Sequence, residues 1–409
     1  MQIFFELLAL LLLTRICGEA MERVGQPASV GEILAGVLLA VAIVWFGPAL
    51  PFLAQMGSSA VLDTVAHAGI FLLVLLAGIE MEPSQIAKSS KAAFWIALGG
   101  MVLPLAAGFA LAWAFLPESD LRPVQALLAG VALSISAVPA TVKVFDDLGL
   151  LHSKVGEYVI SAAVFDDVIG LFLLAILLSV IETGDGPDLL AFLLMLGKVS
   201  IFFAVTVLLG AKVYPRVSRG MKTMQAAAAE FSALAVVALA YGLLAEVLGM
   251  HWILGAFMAG LYFERSRVGV RAYAEIRLIC ATLAKGLLGP LFFAYIGLKV
   301  DLSAVTQAPL FLFLVIAVAF LGKVVGAGVP ARLTGMSKRD AAAVGVGMSA
   351  RGAVELVVLG IAYEKGVFAA QAGQDSATGN LFSSLILMGV ITTVLAPILL
   401  RRLLRPRGS

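Results

Sequence analysis

Charge is scarce in this chain. Asp, Glu, Lys and Arg make up 13% of its 409 residues while 61% are hydrophobic, whereas a soluble domain is about 25% charged. The mean hydropathy is +1.05, so a water-soluble fold is excluded. The alternating polar and apolar pattern of a transmembrane β-barrel is also missing, which leaves membrane-spanning helices. Cysteine is nearly absent: Cys17 and Cys280 are too few and too isolated for a disulfide framework or a thiolate metal site. The first residues, MQIFFELLALLLLTRICGEAMERVG, lack a basic leader and a small-residue cleavage site, so they read as a retained first span.

What is present is a series of apolar runs long enough to cross a bilayer. They lie near 3–22, 28–47, 60–80, 92–116, 123–146, 155–182, 189–213, 226–248, 250–264, 279–298, 308–331, 340–363 and 378–400, about thirteen helices in all. Lysine and arginine crowd one side: Arg23, Lys88, Lys91, Lys154, Lys212, Arg216, Arg219, Lys222, Arg265, Arg267, Arg271, Arg277, Arg332, Lys338, Arg339 and the tail RRLLRPRGS. The other side holds Arg122, Lys299 and Lys365. That asymmetry places the N-terminus outside and the C-terminus in the cytoplasm. The formal net charge of +2 thus conceals a basic inner face suited to an anionic inner leaflet, not to nucleic acid. About nine polar residues follow the last span, too few for a soluble regulatory domain within this sequence.

The chain also resembles itself. GEILAGVLLA (31–40) is similar to ILGAFMAGLY (253–262), and FLLVLLAGIEMEPS (71–84) to PLFFAYIGLKVDLS (290–303). The two pairs have nearly one offset, covering an odd number of spans, so the copies face opposite ways. Such inverted-topology repeats are characteristic of secondary transporters.

Two adjacent carboxylates, Asp166 and Asp167, interrupt the apolar run SAAVFDDVIGLFLLAILLSV. One aspartate at mid-membrane costs about 2.5–3.5 kcal/mol, and a second raises that cost through like-charge repulsion. Neighbours on a helix point ~100° apart, so one can meet a fixed cation while the other faces water. Lys198, Lys285, Lys323 and Arg351 are the cations at membrane depth. Lys323, in the small-residue segment FLGKVVGAGVPAR, is the first choice because small residues let another helix come close. Lys198 and Lys285 read better as side chains snorkelling to an interface.

Two spans look broken. Pro139 in ALSISAVPATVKVF removes a backbone donor and disfavours helix just before it, with Ser134, Ser136 and Thr141 supplying oxygens nearby. Gly345, Gly347 and Gly352 loosen VGVGMSARGAVELVV around Arg351. Unwound backbone at membrane depth is tolerated only where protein or a watery cavity satisfies it, and discontinuous helices build the ion sites of transporters. Glu355, four residues beyond Arg351, is expected on the same helix face and paired with it. Glu32, Asp63 and Glu230 are weaker candidates, and His251 reads as an interfacial polar residue.

These residues together resemble the monovalent cation:proton antiporter-2 family, the Kef-type and NapA-type bacterial exchangers. The likeness runs in order through GQPASVGEILAGVLL, FLLVLLAGIEMEPS, VFDDLGLLHSKVGE, AAVFDDVIGLFLLAIL, HWILGAFMAGLYF, GPLFFAYIGLKVDLS, LGKVVGAG, GMSARGAVELVVLGIA and LFSSLILMGVITTVLAPILL. It implies an all-α polytopic membrane protein forming one transport domain over 1–409, a homodimer in the bacterial inner membrane. The expected layout is a first inverted repeat near 1–183, a linker helix near 189–213 and a second repeat near 226–402. Dimerisation (panel) spans would fall near 3–80 and 226–298, and mobile core spans, with two crossed discontinuous helices, near 92–182 and 308–400. Asp167 would match the main ion-binding carboxylate, Asp166 the carboxylate paired with the core lysine, Lys323 that lysine, and Ser136 a crossover residue beside the Na+ site. The Asp-Asp pair is the form found in electrogenic sodium exchangers. Where many relatives carry Arg-Gly-Glu, this chain has Arg351-Gly352-Ala353, so no role for that glutamate carries over to Glu355.

The expected activity is therefore exchange of Na+ or Li+ for protons by competition at Asp167, with no cofactor and no enzymatic reaction. The rival substrate is K+. An intramembrane aspartyl protease would need its two aspartates on different helices, and a sodium-coupled organic-anion carrier would lack paired aspartates opposite a lysine. In proteoliposomes bearing a pH gradient, Na+ and Li+ are expected to drive proton movement more strongly than K+; the reverse order would establish the potassium reading.

Overall fold

A computed structural model describes residues 2–46, 60–80, 91–136, 141, 145, 150, 153–183, 189–212, 229–248, 252–351, 353–368 and 376–404, and among these no strand occurs. The helices are α1 (Gln2–Arg23), α2 (Ala28–Phe46), α3 (Ala60–Glu80), α4 (Lys91–Phe115), α5 (Arg122–Ser134), α6 (Lys154–Thr183), α7 (Leu189–Lys212), α8 (Ala229–Val247) and α9 (Ile253–Leu261). They continue with α10 (Arg265–Val268), α11 (Val270–Leu283), a π-turn (Ala284–Leu288), α12 (Gly289–Leu298), α13 (Ser303–Gln307), α14 (Pro309–Leu333), α15 (Lys338–Gly347), α16 (Ala353–Glu364) and α17 (Ser376–Leu404). Among the described residues seven helical stretches are long and apolar enough to cross a membrane. The protein is a multi-pass membrane protein.

Glycine decides how closely these helices approach, because lipid offers no hydrophobic drive between apolar helices and small residues let backbones touch. A Cβ on Gly36 would fall 2.0 Å from the Ala294 carbonyl oxygen, and one on Gly260 would fall 2.2 Å from that of Leu75. Likewise a Cβ on Gly297 would meet the Ile33 oxygen at 2.2 Å, and one on Gly78 the Phe257 oxygen at 2.3 Å. The two sets are mirror counterparts in the repeated motifs: Gly36 and Ile33 correspond to Gly260 and Phe257, and Gly78 and Leu75 to Gly297 and Ala294. The first motif of each copy therefore packs on the second motif of the other, α2 on α12 and α9 on α3. A second glycine seam joins α4 to α14, where Cβ atoms on Gly99 and Gly326 would each lie 2.4 Å from the other's carbonyl oxygen.

The structure departs from the sequence expectation at the tenth span. Helix begins at Val270, not near 279, and runs through the π-turn to Leu298. At 1.5 Å per residue such a run exceeds a ~30 Å hydrocarbon core, so Arg271 and Arg277 sit on a helix and not in a loop. The π-turn frees backbone carbonyls, and Arg15 donates to those of Lys285, at 2.9 Å, and Gly286.

An added methyl at these seams has no room, since the obstructing atoms are backbone. Gly297→Ala and Gly78→Ala are each expected to destabilise the protein by at least the ~1–3 kcal/mol of an overpacked core, read as a lower melting temperature in detergent. Gly269→Ala, whose Cβ meets nothing within 4 Å but whose φ is +95°, separates backbone strain from crowding.

Candidate ion-binding site

Helix α5 starts with Pro123 in its first turn, where a missing N–H costs nothing, and stops at Ser134, with Ile135 extended at φ −71° and ψ 141°. A helix end exposes carbonyls without intrahelical partners and carries partial negative charge. Arg351 answers both needs. Its guanidinium donates to the carbonyls of Ala132 (3.2 Å), Leu133 and Ile135, and to Ala319 on α14 (3.4 Å). Arg351 itself sits between α15 and α16, outside either helix. Thr393 on α17 holds its backbone there: the Arg351 N–H donates to Thr393 Oγ1 at 3.2 Å, and that hydroxyl lies 3.0 Å from the Arg351 carbonyl.

The two interrupted regions meet. Thr141 Oγ1 donates to the Gly347 carbonyl at 2.7 Å, supplying an acceptor at the end of α15 with a proton. Beside this junction Lys323 Nζ donates to Asp166 Oδ1 at 2.9 Å, with both side chains at most 1% exposed. The second oxygen, Oδ2, accepts the Ser136 backbone N–H at 2.9 Å. Asp166 thus links α6, α14 and the extended stretch after α5. The α4–α14 seam explains the position of Lys323: its neighbours Gly322 and Gly326 press on Pro104 and Gly99 of α4, leaving the ammonium to face α6.

The three candidate hydroxyls differ. Ser134 Oγ is spent on its own helix, donating to Val131 O at 2.8 Å, and Thr141 is spent on Gly347. Ser136 Oγ is buried, and among the described residues it has no hydrogen-bond partner. It is therefore an oxygen available to an added group, two atoms of chain from the amide that grips Asp166. Pro139, Gly352 and His251, with the side chain of Asp167, lie outside the described residues.

The expected Arg351–Glu355 pair is present as a buried ion pair, but not on the expected helical basis. The residues are not on one helical face, because the chain is non-helical at Arg351 and α16 begins at Ala353. Arg351 Nε stands 3.9 Å from Glu355 Oε2, beyond hydrogen-bonding range, and both Glu355 oxygens are buried without a hydrogen-bond partner among the described residues. The hydrogen bonds of the guanidinium go to carbonyls. Of the other lysines, Lys198 is exposed, and Lys285 is 61% exposed and pairs with Glu80 at 3.1 Å, as snorkelling side chains should. Thr393 was missed by sequence reasoning; its signal was a pair of hydroxyls, Thr392 and Thr393, inside an apolar helix.

A broken helix end capped by a buried arginine, beside a buried lysine–aspartate pair, is a setting for small charged solutes. Residues 8–405 match the family described as "Sodium/hydrogen exchanger, transmembrane". The chain belongs to this family of cation/proton antiporters. It is 29% identical to the "Probable Na(+)/H(+) antiporter GerT" of Bacillus cereus, over 88% of this chain and 90% of that one. It is 27% identical to the "Na(+)/H(+)-K(+) antiporter GerN" of the same organism, over 98% and 96%. Its fold matches that of the sodium proton antiporter MjNhaP1 from Methanocaldococcus jannaschii with a TM-score of 0.73, at 17% identity and covering 98% and 97% of the two chains. The exchanger is a transporter and not an enzyme, which removes the protease rival.

Removing one partner of a buried ion pair leaves an uncompensated charge and costs about 3–5 kcal/mol. Lys323→Gln is therefore expected to lower the melting temperature in detergent more than the double variant Asp166→Asn with Lys323→Gln, and the double-mutant cycle measures their coupling.

Proposed function

We propose that the exchanger is an electrogenic Na+(Li+)/H+ antiporter in which cation and proton exclude each other at Asp167. The observation that carries this reading is the buried Asp166–Lys323 pair, placed by the Ser136 amide where α5 breaks. Asp167 is the next residue of the same helix, and Ser136 Oγ is a buried oxygen without a hydrogen-bond partner among the described residues. Deprotonated Asp167 with Ser136 and freed backbone carbonyls would hold a dehydrated Na+, since oxygen donors suit a small hard cation. Protonated Asp167 cannot, so transport falls on acidification. When the cation binds, Asp166 and Lys323 separate and the pair releases a second proton.

The same reading gives thirteen crossings, inverted repeats and two crossed discontinuous helices. The reciprocal glycine contacts of α2 with α12 and of α3 with α9 support a duplication related by a two-fold axis. They also support a rigid panel, against which a core carrying α4–α6 and α14–α17 moves like an elevator, exposing the site to each side in turn. The panel would form a homodimer in the bacterial inner membrane, N-terminus outside and C-terminus in the cytoplasm, with the basic face on anionic lipid. K+ is the second reading, favoured by the name of the Bacillus cereus relative GerN, which includes potassium.

Asp167→Asn is expected to abolish coupled exchange for every cation in proteoliposomes, while Lys323→Gln removes the dependence on membrane potential. Coupled exchange retained by Asp167→Asn overturns the site assignment. Wild-type exchange that moves no net charge overturns the electrogenic reading.

A further inference from the structure

A second group of chemistry-bearing side chains lies far from Asp166. Asp63 and His67 occupy successive turns of α3, Glu364 is the last residue of α16, and Tyr295 comes from α12. At the other end of α3, about 25 Å away along a rise of 1.5 Å per residue, Glu80 meets Arg277 and Lys285. The group therefore sits at the end of the bundle opposite this basic cluster.

His67 Nδ1 is 2.8 Å from the backbone oxygen of Asp63. A carbonyl only accepts, so Nδ1 carries the proton and donates it, which sets the free lone pair on Nε2. That nitrogen stands 2.9 Å from Glu364 Oε2. A neutral ring would bring two acceptors face to face there, so the geometry calls for a positive charge between them: a proton or a metal ion.

Two further observations favour a metal. One donor atom from each of Asp63, His67 and Glu364 falls within 4.8 Å of the other two, so small side-chain rotations bring three donors around one ion, a convergence that a single proton does not require. The donors are also oriented as metal ligands are, a histidine by giving its other N–H to a backbone carbonyl and a carboxylate by accepting a hydrogen bond. Tyr295 Oη donates that bond to Asp63 Oδ1 at 2.6 Å. Side-chain exposures of 45% for Asp63, 37% for His67 and 23% for Glu364 leave a path for an ion and room for its waters.

We propose that Asp63, His67 and Glu364 form a binding site for one divalent transition-metal ion of the Zn2+ class, tying α3 to α16, with Tyr295 as a positioning residue. An imidazole with two carboxylates suits Zn2+ or Mn2+, whereas Mg2+ and Ca2+ take oxygen donors alone. The site is independent of which monovalent cation the exchanger carries.

Isothermal titration of the purified full chain in detergent with ZnCl2, and separately with MgCl2, tests it. One saturable Zn2+ site per chain is expected, at least about 10-fold tighter than any Mg2+ binding, given the imidazole donor. His67→Ala is expected to abolish it, and Tyr295→Phe to weaken it by about 10–100-fold, the usual effect of losing a group that orients a ligand. Zn2+ should also raise the melting temperature of the wild type but not of His67→Ala, because a ligand that binds only the folded state stabilises it. Absence of saturable Zn2+ binding by the wild type overturns the proposal, and leaves a protonated His67 paired with Glu364. Zn2+ binding that His67→Ala leaves unchanged overturns it as well, by placing the ion elsewhere.

Discussion

A helix that ends at membrane depth leaves carbonyl oxygens with nothing to accept from, and lipid cannot supply a donor. In this exchanger one guanidinium, that of Arg351, takes up those of Ala132, Leu133 and Ile135 at the end of α5. The rest of the site depends on that bond set. It lets the chain turn extended at Ile135, which frees the Ser136 amide for Asp166, which in turn gives Lys323 a partner without exposing it. An arginine is suited to the work because its five donors lie in a rigid plane and its charge is never lost.

The helix positions rest on a different device. Four glycines, in two copies of the same pair of motifs, bring α2 against α12 and α3 against α9 until a single added carbon would strike a carbonyl oxygen. Contacts of that kind hold a fixed register, because backbone does not yield. The α4–α14 seam does the same for the helix that bears Lys323, and fixes the depth at which its ammonium meets Asp166. The metal site proposed at the far end of α3 would join the two bodies that these seams define separately.

Much of the site was legible because burying charge in a bilayer is expensive. Asp166 and Lys323 stood out as charges without an evident reason, and small residues around Lys323 announced a close helix. Arg351 was visible for the same reason, but its hydrogen-bond acceptors were not. Spacing of four residues points to Glu355, which does lie within ion-pair distance, although the chain is not helical at Arg351. The acceptors it uses at the end of α5 are backbone atoms more than two hundred residues away in sequence, and backbone carries no signature in an amino-acid string. Thr393 was hidden likewise, since a hydroxyl in an apolar helix most often bonds its own preceding turn.

Hydropathy, the bias of lysine and arginine, the doubled motifs and the two isolated carboxylates were determined by the sequence alone, because each is a property of composition and order along the chain. Which oxygen of Asp166 meets Lys323 and which meets an amide, that Ser134 and Thr141 commit their hydroxyls to backbone carbonyls, and that His67 of α3 faces Glu364 of α16 were decided only in three dimensions. Each depends on the angle and depth at which helices distant in sequence come together, and backbone contact at the glycine seams sets that angle.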